Sequence, residues 1–203
     1  MLTKVKAFIG YERSGKDYQC DRLVKQGWKK VSFADPLRKI AFKVIGLDFK
    51  EGMARYNDLK KTELINGQTF RNILENLGEG VREYDEDYWV TAALSEMEKS
   101  LKNVCISDMR YANEYIKVYN WCKEKNIEFK AYLCDYHSPD YNPNNKHSST
   151  SFARYLIEDR MVHDLQEVPY DFVIDYYNNT HFNKVSSELL KKIGDLKLNG
   201  FVH

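Results

Sequence analysis

Val5-Lys6-Ala7-Phe8-Ile9-Gly10-Tyr11-Glu12-Arg13-Ser14-Gly15-Lys16-Asp17 decides how this chain is read. Val5 to Ile9 is an apolar, strand-like run. Tyr18 to Lys25 has helical spacing, with Cys20, Leu23 and Val24 on one face. A strand, then Gly-x-x-x-x-Gly-Lys, then a helix is the phosphate-binding-loop pattern in its expected setting. Gly10 and Gly15 let the backbone curl so that its N–H groups point inward at an anion. The following helix adds the positive end of its dipole. Lys16 supplies a mobile point charge. Ser14 and Arg13 complete the loop. The residue after the lysine is normally Ser or Thr, whose hydroxyl ligates magnesium; here it is Asp17. The pattern points to a nucleoside triphosphate site.

The length of 203 residues suits one well-cored domain with small insertions. Lys and Arg total 31 against 30 for Asp and Glu, so charge gives no reason to expect a polynucleotide partner. No apolar run approaches the length of a membrane span, and the N-terminus lacks a signal peptide's apolar core. A soluble, cytoplasmic protein with no membrane partner is expected. Four scattered cysteines without a Cys-x-x-Cys pair fit reduced thiols rather than a disulfide framework. Cys134, His137 and His147 share a polar segment, but their spacing matches no usual zinc arrangement.

Downstream, residues 28–34 read as a second strand, followed by a helix over 37–45 with Pro36 in its first turn. On that helix Arg38 reads as a surface residue. Residues 47–68 are polar and weakly patterned, and helices follow over 69–78 and 86–101. Asn103 to Asp108 is a buried strand closed by an acid, the form of a Walker B element, and Asp108 is a candidate to hold magnesium, directly or through water. A helix over 113–125, a strand over 128–134, a polar lid-like stretch over 135–151 and a helix over 151–159 come next. A fifth strand is expected over 170–176, then a turn at Asn178-Asn179 and a last helix over 182–193.

Strands alternating with helices predict a parallel α/β sheet covered on both faces, with the loop-bearing strand in the middle. One α/β domain is expected over 1–203, with five strands and two peripheral insertions, near 47–68 and 135–151.

The ordered motifs resemble the phage-type deoxynucleoside monophosphate kinases, a branch of the adenylate-kinase-like P-loop kinases. They are Arg13-Ser14-Gly15-Lys16-Asp17, Phe33-Ala34-Asp35-Pro36-Leu37, and Arg71-x-x-Leu74-Glu75-x-Leu77-Gly78. They continue with Tyr88-Trp89-Val90, Asp108-x-Arg110-x-x-x-Glu114, the polar segment at His147, and Phe172-Val173-Ile174-Asp175-x-x-Asn178-Asn179. Arg-Ser-Gly-Lys-Asp is similar to the form this family uses, so Asp17 is a family mark. Three positions depart from it: Glu75 stands where relatives often carry Gln, Glu79 where Thr is common, and no acid follows His147.

The resemblance implies a P-loop kinase domain over 1–203 with five parallel strands in the order 2-3-1-4-5, an acceptor-binding insertion at about 36–88 and a lid at about 135–168. It implies transfer of the ATP γ-phosphoryl group to the 5′-phosphate of a deoxynucleoside monophosphate (dNMP), with Mg²⁺ as cofactor. It implies Gly10, Arg13, Ser14, Gly15, Lys16 and Asp17 around ATP, with Lys16, Asp17, Arg13 and Asp108 in catalysis. Asp17 and Asp108 are the hard-oxygen candidates for magnesium, Asp17 with the alternative of positioning substrate. Asp35, Arg71, Glu75, Gly78, Trp89, Asp108, Arg110 and Glu114 fall to the acceptor. Trp89 has a core alternative, and Glu75 the alternative of pairing with Arg71. His147, Arg154 and Arg160 fall to the lid. Related kinases are often homodimers, and the family points to a phage or its host as source. Two alternatives stand beside this reading: a kinase resembling dephospho-CoA kinase, and a nucleotide-binding module without turnover.

Overall fold

The computed structural model describes residues 1–65, 67–135 and 148–199. Its main sheet has four parallel strands: β1 (Lys4–Ile9), β2 (Lys29–Val31), β5 (Val104–Met109) and β6 (Glu128–Leu133). They lie in the order β2-β5-β1-β6. The loop-bearing strand is therefore interior, with Ala7 opposite both Ile106 and Ala131. This is the expected order of the first four strands.

Side chains two apart on a strand face the same way. Val5, Ala7 and Ile9 accordingly join Val104, Ile106, Ala131 and Leu133 in a large core beneath α6 (Tyr88–Glu98), α7 (Ala112–Glu124) and α9 (Tyr170–Asn199). Phe8 and Cys105 point to the other face, where they meet Cys20 and Leu23 of α1 (Lys16–Val24). Both faces are covered, which is why β1 and β5 read as continuous apolar runs rather than alternating ones.

The chain between β2 and β5 builds a second, smaller core. It comprises α2 (Ala34–Val44), α3 (Phe49–Ala54), α4 (Tyr56–Leu59), the short antiparallel pair β3 (Glu63–Ile65) and β4 (Gln68–Thr69), and α5 (Phe70–Tyr84). Phe42 of α2 stacks on Phe70 of α5 with centroids 5.0 Å apart, and Tyr56 meets both rings edge-on. Two boxes fix the segment's helix starts: Asp48 caps α3 and Thr69 caps α5.

The expected fifth strand is not a strand. Residues 170–176 form the first turns of α9, and the helix continues through Asn178-Asn179, where a turn was expected, to Asn199. The open edge of β6 is instead satisfied by residues 165–168, just before α9. Leu165 N–H donates to the Leu133 carbonyl at 2.7 Å, Leu133 N–H to Gln166 at 3.0 Å, and Val168 N–H to Ala131 at 2.8 Å. With that ladder occupied, residues 170–176 have no edge to join. Their apolar residues work at helical spacing instead: Val173 is buried and Tyr170 stacks on Tyr119 of α7 at 4.1 Å.

After β6 the described chain resumes with α8 (Ser148–Arg154), followed by a π-helical turn over Tyr155–Asp159. Most of the expected lid stretch, His147 included, lies outside the described residues. Among the described residues no helix is long and apolar enough to cross a membrane.

Candidate active site

Residues 10–15 leave the carboxyl end of the central strand and enter α1. In an open parallel sheet this end is where ligand crevices form. Two positions show why glycine is needed. A β-carbon on Gly10 would lie 2.1 Å from the Cys134 carbonyl oxygen, and Gly15, at φ 90, precedes the first helical residue. Arg13 also takes a left-handed backbone, at φ 64, and is exposed on the loop. Ser14 is buried, its N–H donating to the Tyr11 carbonyl at 3.2 Å.

Lys16 is 7 % exposed and folds back over its own loop. Its ammonium donates to the Gly10 carbonyl at 2.8 Å and to the Tyr11 carbonyl. Burial, and then the charge of Arg110, lower its pKa to about 8. The negative charge of a bound phosphate would oppose both effects.

Asp17, next along α1, pairs with Lys30 of β2 at 2.8 Å. Partial burial raises its pKa, but hydrogen bonds from Lys30 and Ser107 and the Lys30 charge outweigh that, and the net shift is downward. The carboxylate stays largely exposed, at 76 %. It is an ionised hard-oxygen donor beside the loop, already paired with the Lys30 ammonium.

Asp108 is differently placed. Oδ1 accepts from Phe33 N–H at 3.0 Å, and Oδ2 accepts from the Ser32 hydroxyl at 2.5 Å and Ala34 N–H at 3.1 Å. Both oxygens already accept hydrogen bonds at the start of α2, so a directly bound metal would compete with them. Among the described residues no group of three or more His, Cys, Asp or Glu side chains is poised to hold a metal ion.

Beside the loop lies a cleft of about 200 Å³ between the sheet ends and the α2–α5 segment. Of the residues read as acceptor-binding, Arg71, Glu75, Gly78, Trp89, Asp108, Arg110 and Glu114 line it, and Asp35 does not. Arg71 is exposed, donates to Glu75 at 2.9 Å and lies 3.9 Å from Glu12 of the loop. Trp89 is 2 % exposed and donates its indole N–H to the Gly78 carbonyl at 3.1 Å, so it forms the back wall rather than an open stacking platform. Glu114 is 3 % exposed; it accepts from Arg110 N–H at 2.7 Å and Tyr111 N–H at 3.1 Å, and meets Arg82 at 3.5 Å. Burial nevertheless raises its pKa to about 7, against the pull of Arg82.

Three cleft cations, Arg38, Lys60 and Arg82, were not read as binding residues in the sequence. Arg38, expected on the surface, has a side chain only 18 % exposed. Its NH1 group donates to Asp35 at 2.7 Å and to Ser32 at 3.1 Å, and its guanidinium lies 5.0 Å from the Tyr56 ring centroid. The signal was present: Arg38 is four residues before the core residue Phe42, hence on the inward side of α2. Arg82 lies over the Tyr111 ring at 4.5 Å. Positions 71, 75, 78 and 82 recur at helical spacing, so one face of α5 carries all of them into the cleft.

The expected lid arginines lie elsewhere. Arg160 donates to Asp175 at 2.7 Å and to the Tyr155 hydroxyl, between the Tyr155 and Phe172 rings. Arg154 lies 3.9 Å from Glu158. Neither lines the cleft.

No protein-family model matches the chain, and no curated protein does. Among solved structures, a Cys-to-Ala variant of the APS kinase of Mycobacterium tuberculosis is similar at 18 % identity with a TM-score of 0.31, over 77 % of this chain and 95 % of that one. A likeness of that degree assigns no family.

Proposed function

We propose that this protein transfers the γ-phosphoryl group of ATP to the 5′-phosphate of a deoxynucleoside monophosphate, giving the diphosphate. One observation carries the reading: a lysine-bearing glycine loop and a cleft lined by Arg38, Arg71, Arg82 and Arg110 adjoin at the carboxyl end of one parallel sheet. Phosphoryl transfer asks a protein for alignment and charge neutralisation, with little covalent chemistry. The loop supplies a place for the donor and the cleft a place for an anionic acceptor.

In this reading the loop amides and Lys16 hold the donor's β- and γ-phosphates, and Arg13 adds charge at the loop. Mg²⁺ would supply charge neutralisation at the phosphate oxygens, and Asp17, ionised beside the loop, is the residue that would hold it. Arg71 and Arg110 present forks suited to the acceptor phosphate, joined by Arg38. Glu75, Glu114 and Arg82 surround the remainder of the acceptor, with Gly78 and Trp89 as its wall. No polynucleotide or membrane partner is invoked. A homodimer, a host-cytoplasmic setting and lid roles for His147, Arg154 and Arg160 follow from the family resemblance alone.

The test is an ADP-release assay with ATP and Mg²⁺ over dAMP, dCMP, dGMP, dTMP and modified pyrimidine monophosphates. Turnover of at least one is expected. Turnover of dephospho-CoA alone would favour that kinase class, and ATP binding with no turnover of any acceptor would favour a non-catalytic module.

A further inference from the structure

The first N–H groups of a helix lack intrahelical acceptors, and a side chain usually supplies one. The residue preceding α2 is Phe33, whose side chain has no acceptor and caps nothing; locally, only the Ser32 hydroxyl oxygen reaches a first-turn amide, that of Ala34. The other acceptor comes from the far side of a strand junction. Asp108, at the end of β5, accepts from Phe33 N–H and Ala34 N–H, and its charge sits at the positive end of α2.

The same carboxylate fixes the direction of a short chain of hydrogen bonds. Ser32 has a single hydroxyl proton, and it goes to Asp108. Its oxygen lone pairs are therefore turned toward Ala34 N–H at 3.2 Å and Arg38 NH1 at 3.1 Å. Arg38 is held on its other sides by Asp35 and the Tyr56 ring, and its buried Nε has no partner. A guanidinium fixed this way at a cleft wall is preorganised to receive an anion.

We propose that Asp108 is a positioning residue: it caps α2 and, through Ser32, aims the Arg38 guanidinium at the acceptor phosphate, rather than ligating the metal. Withdrawing Asp108 to a metal would strand the Phe33 N–H, leave the Ala34 N–H only the Ser32 oxygen, and turn the Ser32 hydroxyl. The acceptor half of this inference rests on the kinase reading, whereas the capping half does not.

The test compares Asp108→Asn, Asp108→Ala and Ser32→Ala with the wild type. Hydrogen exchange at the Phe33 and Ala34 amides needs no activity; it should speed up about tenfold in Asp108→Ala, the scale of a lost cap. Unchanged exchange there overturns the capping half. With the best acceptor of the dNMP screen, Asp108→Asn and Ser32→Ala should each raise the acceptor KM about tenfold or more, while kcat and Mg²⁺ half-saturation move less than twofold. The Ser32→Ala, Asp108→Ala double variant should cost no more than the worse single one. A rise in Mg²⁺ half-saturation exceeding the rise in acceptor KM would make Asp108 a metal ligand and overturn the proposal. Should Asp108→Ala fail to fold, Ser32→Ala and Asp108→Asn still decide it. Absence of any turnover in the wild type would sink the kinase reading while leaving the exchange result to judge the cap.

Discussion

The Lys16 ammonium donates to the Gly10 carbonyl at 2.8 Å, so the cation meant for phosphate already lies folded across its own loop. It is buried there beside the charge of Arg110, and its pKa is lowered to about 8. Phosphate binding favours the charged form and raises that pKa. Below about pH 8 the amine is already protonated and affinity is pH-independent from this source. Above it, binding must take up a proton, so ATP affinity should fall by up to about tenfold per pH unit. Calorimetric titrations at pH 7 and 9 in buffers of different ionisation enthalpy check this; equal affinities with no proton uptake would contradict it.

Arg38 should matter as much as the arginines legible in the sequence. Arg38→Ala is expected to raise the acceptor KM at least about tenfold, with Arg38→Lys recovering only part, because an ammonium cannot reproduce the fork held by Asp35 and Ser32. Steady-state kinetics with saturating ATP measure it. An unchanged KM in Arg38→Ala would return the residue to a structural role.

Two glycines should respond oppositely to alanine. An added β-carbon on Gly52 would lie 2.4 Å from the Phe42 ring, which is fully buried and stacked on Phe70. Gly52→Ala should destabilise by about 1–3 kcal/mol through overpacking. At Gly80, inside α5, the new carbon meets open space, and Gly80→Ala should stabilise by about 0.5–1 kcal/mol. Urea midpoints of the two variants check the pair.

Glu114 predicts a slope of stability with pH. Burial raises its pKa from the ordinary 4.5 to about 7, so the folded state holds the proton more tightly than the unfolded one. The resulting preference for the fold is present at low pH and is lost as pH rises from about 4.5 to 7, then stays level. Its size is on the order of 3 kcal/mol at most. Glu114→Gln keeps an acceptor for the Arg110 and Tyr111 amides and removes the titration, so its stability between pH 5 and 8 should be flatter than that of the wild type. Denaturation at both pH values measures this.

The sheet's first four strands were legible because β1 and β5 are covered on both faces and hence read as apolar runs, and because the loop motif fixes which strand is central. The run at 170–176 misled for a physical reason. Tyr170, Phe172, Val173 and Tyr176 serve a strand or a helix equally well, and only occupation of the β6 edge by residues 165–168 decides between them. In the site, the face of α5 was half visible through Arg71, Glu75 and Gly78, and Arg82 extends it by one turn. Arg38 was passed over because a charged residue on an amphipathic helix usually faces water. Its burial depends on Asp35, Ser32 and Tyr56 closing around it. The capping of α2 by Asp108 joins residues more than seventy positions apart, which no local spacing could show.

The central claim is that the loop holds a phosphoryl donor whose γ-phosphate passes to an acceptor in the arginine-lined cleft. Transfer of label from γ-³²P-ATP to each dNMP, resolved by chromatography for the wild type and Lys16→Ala, tests it most directly. The account predicts a labelled dNDP from at least one acceptor, reduced about a hundredfold or more in Lys16→Ala. Label appearing on no acceptor, or transfer undiminished in a folded Lys16→Ala variant, would contradict it.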